Sequence, residues 1–293
     1  ATMLSITNPG DKVVIFSPFY ENYGADTILS GAEPIYVPLV PPEFHFDKEK
    51  LEDAFRQGAK ALILCNPSNP CGKVFTMEEM QTIAELAKKY DAYVVTDEVY
   101  EHIVYAPYKH IYMQSLEGMR ERTIVCNSLS KTYSITGWRL GYVIANPQII
   151  DRVKKVHDFL TVGAAAPLME AAVVGLEFGD GYYDELAAHY AHMKEVFVGG
   201  LKKLGLKYTD PQGAYYVLVD VSEFGVKDDV KFCEWMAQFV GVAAVPGSSF
   251  FREDVHNLVR FHFAKQDDTL NEAIKRLATL KEKAMNAKNV DWR

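Results

Sequence analysis

The chain has 293 residues, 48% of them hydrophobic and 24% charged, a composition that excludes an intrinsically disordered protein and allows a large buried core. Its formal net charge of −8 and its lack of a basic run argue against nucleic-acid binding. Its apolar stretches are interrupted well before the roughly 20 residues that a membrane-spanning helix needs. Neither a nucleic acid nor a membrane is therefore an expected partner.

Residues 1–7 have the pattern of the last turns of a helix, and the turn-forming cluster Asn8–Asp11 ends it. A domain rarely begins inside a helix. We therefore expect that the N-terminal part of the first domain is missing from this sequence and that the chain is truncated.

Apolar strands alternate with amphipathic helices between residues 12 and 146. Such alternation predicts an α/β fold with a mostly parallel central sheet covered by helices on both faces. The helix over 76–90 begins with a capping box, in which Thr76 is the N-cap and Glu79 follows three residues later. The predicted strands are 13–16, 34–39, 61–65, 93–96, 124–126 and 141–145, and the other predicted helices are 22–29 and 48–56.

The pattern changes in the second half of the chain, where three mainly helical segments are followed by a mixture of strands and helices. This α+β layout predicts a smaller C-terminal domain. We place a large domain at residues 1–195 and a small domain at 196–293. The helical segments are 147–160, 167–178 and 182–204, and the small domain has predicted strands at 214–219, 242–245 and 258–263 and helices at 228–240 and 269–285.

The cysteines and histidines show no spacing typical of a metal site. Buried free thiols are expected, and this cysteine usage favours a cytoplasmic location. The histidines are interpreted as structural or solvated. The residues concerned are Cys65, Cys71, Cys126 and Cys233, and His45, His102, His110, His157, His189, His192, His256 and His262.

Polar and charged residues follow several predicted strands at the points where those strands end. Ser128, Lys131 and Arg139 supply a hydroxyl, an amine and a guanidinium within a short segment. Pyridoxal 5'-phosphate needs a lysine to hold it as a Schiff base, and its phosphate favours hydroxyl donors and a bidentate arginine. Asp97 ends the strand over 93–96, where a carboxylate would keep a pyridine nitrogen protonated. These residues predict a pyridoxal phosphate site at the carboxyl edge of the sheet.

Three further segments lie in a matching order: Ser17–Tyr20, the loop Asn66–Gly72, and the strand that contains Arg260. Together with the residues above, they resemble fold type I pyridoxal phosphate enzymes, specifically class I/II aminotransferases of the kynurenine/glutamine and aspartate transaminase-like branches. The resemblance runs from the first residues to about Leu280. It implies the fold of those enzymes, with a large cofactor-binding domain and a small C-terminal domain.

The resemblance also implies catalytic roles. Lys131 would form the Schiff base with the cofactor and then move a proton as general acid and base. Asp97 would pair with the pyridine nitrogen, and Tyr100 and Asn69 would bond the phenolate oxygen of the cofactor.

The remaining implied roles concern binding. Ser128 and Arg139 would hold the cofactor phosphate, and Tyr20 would stack on the pyridine ring. Arg260, together with Asn69, would bind the substrate, and its planar guanidinium would orient the planar α-carboxylate.

The implied function is the exchange of an amino group between an L-amino acid and a 2-oxo acid by a homodimer. Two alternatives remain open. One is a pyridoxal phosphate-dependent C–S lyase, since the same lysine and aspartate support elimination. The other is a catalytically weak truncated fragment that acts as a scaffold. The run Thr136–Arg139 favours transamination over the lyase.

Overall fold

The computed structural model describes residues 1–287 and 290–293. Its larger β-sheet is built mainly from the apolar segments that alternate with helices in the first half of the chain. The seven strands are β1 (Lys12–Ser17), β2 (Glu33–Val40), β3 (His45–Phe46), β4 (Ala59–Cys65), β5 (Tyr93–Asp97), β6 (Thr123–Ser128) and β7 (Gly141–Ile144).

The spatial order of these strands is β3-β2-β1-β4-β5-β6-β7. The pairs from β2 to β6 are parallel, and only the outer strands β3 and β7 pair antiparallel. The central strands are buried on both faces, as expected where crossover helices cover a parallel sheet. The predicted α/β class with a mostly parallel sheet is therefore confirmed.

The helices around this sheet include the three predicted between its strands, and α4 has the predicted capping box of Thr76 and Glu79. Sequence analysis missed β3 and α5, which are too short to show a period. The helices are α1 (Thr2–Ile6), α2 (Asn22–Leu29), α3 (Lys48–Arg56), α4 (Met77–Lys89), α5 (Leu129–Thr132), α6 (Pro147–Thr161), α7 (Ala166–Leu176) and α8 (Asp180–Lys203).

A second, antiparallel sheet follows α8, with the order β10-β11-β9-β8. Its side chains share one apolar core with α8 and the C-terminal helices. The strands are β8 (Lys207–Tyr208), β9 (Tyr216–Asp220), β10 (Val245–Pro246) and β11 (Leu258–His262), and the helices are α9 (Asp229–Trp235), α10 (Asp267–Leu277) and α11 (Leu280–Asn286).

Three C-terminal predictions need correction. The helix predicted over 228–240 is α-helical only to Trp235, continues as a π-helical turn, and stops at Gly241, whose φ of 79° is left-handed. The helix predicted over 269–285 is two helices, and at the break the hydroxyl of Thr279 donates to the carbonyl of Arg276. The strand predicted over 242–245 pairs only at Val245 and the following proline.

Helix α8 crosses residue 195, so the division into domains 1–195 and 196–293 remains a prediction. Within the described part of the chain, no helix is both long and apolar enough to span a membrane. All four cysteines are free thiols, as predicted, with Cys126 the least buried.

Candidate active site

One cleft of about 530 Å³ lies between the carboxyl edge of the large sheet and the small sheet. It brings together every side chain that the sequence singled out for catalysis or binding. Those residues are Tyr20, Asn69, Asp97, Tyr100, Ser128, Lys131, Arg139 and Arg260.

The parallel strands explain much of this convergence. Cys65 at the end of β4 is paired with Asp97 at the end of β5, and Asp97 is paired with Cys126 in β6. Since parallel strands end at the same edge, the loop after β4, the Asp97 carboxylate and Ser128 at the end of β6 open into one space.

Asp97 is a half-buried acidic residue of the cleft. Its Oδ2 accepts a hydrogen bond from Tyr23 Oη at 2.6 Å, and its Oδ1 accepts one from the Val99 N–H at 3.2 Å. Burial raises the pKa of Asp97, and these two hydrogen bonds oppose the rise. Both donors are neutral, so a cation beside this carboxylate would stabilise its charged form.

Lys131 is a half-buried amine in the short helix α5. Its Nζ lies 3.4 Å from Thr136 Oγ1. Burial lowers the pKa of Lys131, the guanidinium of Arg139 lowers it further, and Asp97 acts in the opposite direction. The neutral amine, which is the form that can accept a proton, is thereby favoured.

Hydroxyl donors and a guanidinium line the cleft on the same segment of the chain as Lys131. Ser128 caps α5, with its Oγ 3.1 Å from the N–H of Ser130 and 2.6 Å from Ser130 Oγ. Arg139 has a left-handed backbone with φ of 57°, and its Nη1 donates to the carbonyl of Thr136 at 2.8 Å. This group of donors matches the chemistry of a phosphate.

Arg260 is held in place from three sides. It lies on β11, and its Nη1 donates to Asn69 Oδ1 at 2.7 Å. Its guanidinium carbon is 4.5 Å from the ring centre of Tyr216 and 4.3 Å from that of Phe250. Burial lowers the pKa of Arg260, but its guanidinium stays charged over the ordinary pH range. An anion bound beside it would stabilise this charge.

The two predicted tyrosines differ in their surroundings. Tyr100 is buried, and its hydroxyl lies 2.9 Å from that of Tyr216, while burial raises its pKa well above the usual value. Tyr20 is 37% exposed and contacts Tyr23 edge to face. An exposed ring on the cleft wall is free to cover a flat ligand.

Sequence analysis did not assign several residues that line the cleft: Glu21, Tyr23, Ser130, Thr136 and Tyr216. Tyr23 lies three residues after Tyr20 at the beginning of α2, and the two rings contact each other edge to face, so this short spacing could have indicated it. Tyr216 shows no comparable local signal, because its position depends on how the small sheet meets the large one.

Comparison with known proteins identifies the family. The model of the family described as aminotransferase class I and II matches residues 1–277. The chain belongs to this family. A probable N-succinyldiaminopimelate aminotransferase of Mycobacterium tuberculosis is 35% identical over 97% of this chain, which spans 74% of that relative. A kynurenine–oxoglutarate transaminase 3 of Rattus norvegicus is 34% identical over 92% of this chain, which spans 66% of that relative.

Solved structures of aminotransferases have the same fold as this chain. The N-succinyldiaminopimelate aminotransferase from Mycobacterium tuberculosis superposes with a TM-score of 0.91, over 95% of this chain and 74% of that chain, at 35% identity. A methionine aminotransferase from Escherichia coli superposes with a TM-score of 0.90, over 95% of this chain and 73% of that chain, at 32% identity. The chain is a transaminase of fold type I, which exchanges an amino group between an amino acid and a 2-oxo acid.

Proposed function

We propose that this transaminase uses pyridoxal 5'-phosphate in the cleft, held by its own side chains. Lys131 would hold the group covalently through Nζ, and Asp97 would lie against its ring nitrogen. Ser128 and Arg139 would bind its phosphate, and Tyr20 would cover its ring. When bound, the cofactor supplies an electron-withdrawing ring that stabilises negative charge on the substrate Cα.

The charges and donors of the cleft support this proposal. Asp97 accepts hydrogen bonds from two neutral donors, Tyr23 and Val99, and a protonated ring nitrogen would stabilise its charge. The guanidinium of Arg139 and two serine hydroxyls lie near Lys131, where a dianionic phosphate would find charge-assisted hydrogen bonds. The donor set therefore fits this cofactor.

Lys131 would also act as the proton carrier. An amine whose pKa is lowered by burial and by Arg139 can take a proton from the substrate Cα and return it to a neighbouring atom. Thr136, 3.4 Å from Nζ, would orient the amine between these transfers.

Arg260 would bind the α-carboxylate that amino acids and 2-oxo acids share. Asn69 and the rings of Tyr216 and Phe250 fix its guanidinium, so less conformational freedom is lost on binding. Tyr100, whose hydroxyl meets that of Tyr216, would donate to the phenolate oxygen of the cofactor together with the Asn69 amide.

We further propose that the enzyme is a cytoplasmic homodimer. Free thiols in all four cysteines are compatible with a reducing compartment. Exposed apolar side chains on α6 and α7, among them Phe159 and Val174, support self-association.

The observation that carries the proposal is the convergence of Lys131, Asp97 and Arg139 in one cleft. Purified protein should show the visible absorption of a lysine-bound cofactor. Reduction with borohydride followed by peptide mapping should place the label on Lys131. Lys131→Ala should abolish that absorption and transamination, whereas Lys202→Ala on the exposed side of α8 should change neither. A label on another lysine, with Lys131→Ala still active, would contradict the assignment.

A further inference from the structure

Glu98, Glu101 and His110 form a cluster of possible metal ligands that does not line the cleft. We propose that these three residues form a binding site for a divalent transition-metal ion of the zinc class. One ligand atom from each residue lies within 4.8 Å of the others. His110 Nε2 is 3.5 Å from Glu98 Oε2, so the imidazole faces the carboxylate.

The two carboxylates of the cluster are largely removed from water. The side chain of Glu98 is 3% exposed and that of Glu101 is 12% exposed. Asn127 Nδ2 donates to Glu101 Oε1 at 2.5 Å, but this bond brings no charge. His102 Nε2 lies 3.7 Å from Glu101 Oε1, beyond hydrogen-bond distance. Buried carboxylates in this arrangement are stabilised by a cation between them.

His110 provides an independent indication of a ligand. Its side chain is 6% exposed, and neither ring nitrogen has a hydrogen-bond partner among the described residues. A buried polar atom without a partner costs about 1–3 kcal/mol. Coordination through Nε2 would satisfy one nitrogen and remove much of this cost, and neutral imidazole is the form that binds metals.

The donor set selects the kind of ion. Two carboxylate oxygens and one imidazole nitrogen suit Zn²⁺ and similar first-row ions better than Mg²⁺ or Ca²⁺, which prefer oxygen alone. Zinc ligands lie about 2.0–2.2 Å from the metal, so the three ligand atoms would have to move closer together to bind it. Three protein ligands leave a fourth position for water.

The site would connect two parts of the large domain. Glu98 directly follows β5, whereas His110 lies on the loop beyond Tyr105. An ion bound by both residues would therefore link that loop to the end of the strand. Glu101 also accepts the amide of Asn127, whose Oδ1 accepts the N–H of Ser128 at 2.7 Å. The ion would thus hold Glu101 in the position that orients the Ser128 backbone.

Zinc binding to the full chain tests the proposal. Protein treated with a chelator and dialysed should bind one Zn²⁺, measured by isothermal titration calorimetry, and should bind Mg²⁺ far more weakly. Glu101→Gln and His110→Asn should each weaken zinc binding by more than about 100-fold, because each removes a direct ligand.

The matched control is His192→Asn, since His192 forms an exposed pair with Asp267 that could bind zinc adventitiously. It should leave the affinity unchanged. Failure of the wild-type chain to bind zinc, or binding lost in His192→Asn but kept in the other two variants, would overturn the proposal. If the variants do not fold, anomalous diffraction from zinc-soaked wild-type crystals decides: a peak between Glu98 and His110 supports the site, and its absence refutes it.

Discussion

At the residue scale, the charged groups of the cleft depend on close neighbours for their properties. Tyr23 and Val99 donate hydrogen bonds to the Asp97 carboxylate, and these bonds oppose the rise in its pKa that burial causes. Asn69 fixes the guanidinium of Arg260. These neighbours set protonation and orientation, so single substitutions should have separable effects on rate, binding and stability.

Asp97→Asn should retain part of the cofactor and lose most of the rate. Without a carboxylate the ring nitrogen loses its proton, which should raise the barrier by on the order of 3 kcal/mol, a loss of about 100-fold or more in kcat. Steady-state kinetics with a saturating amino donor measure this. Asp91→Asn, an exposed aspartate far from the cleft, is the control. Near wild-type turnover in Asp97→Asn would rule out the role.

The same variant has a predicted stability signature in the cofactor-free protein. Because the pKa of Asp97 is raised by burial, the native state binds its proton more tightly than the unfolded state, and stability falls as pH rises from the ordinary aspartate pKa through the raised one. Asp97→Asn should therefore be more stable than the wild type at neutral pH, with the difference vanishing in acid. Urea unfolding at several pH values tests this, and an unchanged difference would contradict it.

Arg260→Lys should raise KM by a similar factor for every amino donor, since all donors share the α-carboxylate. Loss of a charged, bidentate contact costs roughly 1.5–3 kcal/mol. Arg252→Lys is a suitable control, because Arg252 also stacks on aromatic rings but does not line the cleft. A loss confined to one donor would instead place Arg260 against the substrate side chain.

At the element scale, the site depends on how closely β7 packs against β6. Ser128 is paired with Gly141, and a Cβ added at Gly141 would lie 2.6 Å from the carbonyl oxygen of Asn127. The strands can therefore keep their spacing only with glycine there. This pair also connects Arg139, just before β7, to Ser128 at the end of β6.

Gly141→Ala should push the two strands apart, destabilise the fold by about 1–3 kcal/mol, and weaken cofactor binding by displacing Ser128. Gly137→Ala, in the same connection, is the matched control, because no atom of the described residues lies within 4 Å of a Cβ at that position. Urea unfolding and cofactor titration measure the two effects. Equal stability of the two variants would contradict the packing argument.

At the scale of the whole molecule, an apolar surface remains exposed on α6 and α7. Phe159 of α6 is 92% exposed, and Val162, just after α6, is 81% exposed; Val173, Val174 and Leu176 of α7 are also exposed. Exposed apolar side chains are enriched at protein interfaces. It is the physical reason for expecting self-association.

Phe159→Ser combined with Val162→Ser should weaken self-association, because each removes apolar surface that a partner would bury, worth about 1–3 kcal/mol per side chain. Sedimentation velocity over a range of concentrations measures this. Phe239→Ser removes another exposed phenylalanine, from the small domain, and should not affect assembly. A wild-type chain that is monomeric at all concentrations would disprove the expected homodimer.

The sequence by itself determined the parallel sheet, because strands buried on both faces leave continuous apolar runs, and it determined the order of its crossover helices. It also singled out Lys131, Asp97 and Arg139 as candidate site residues, since an amine, a carboxylate and a guanidinium near the ends of strands are chemically distinctive. Each of these signals lies within a few residues along the chain, and local periodicity and residue type are sufficient to reveal it.

Tertiary structure alone decided what surrounds those residues. The hydrogen bond between Tyr23 and Asp97 joins residues 74 positions apart in the sequence, and the one between Asn69 and Arg260 joins residues 191 positions apart. The proximity of Glu98 to His110 likewise depends on the conformation of a loop whose sequence shows no periodic pattern. Such contacts arise from the packing of one element on another, and burial, which shifts the pKa of Asp97, exists only once that packing is complete.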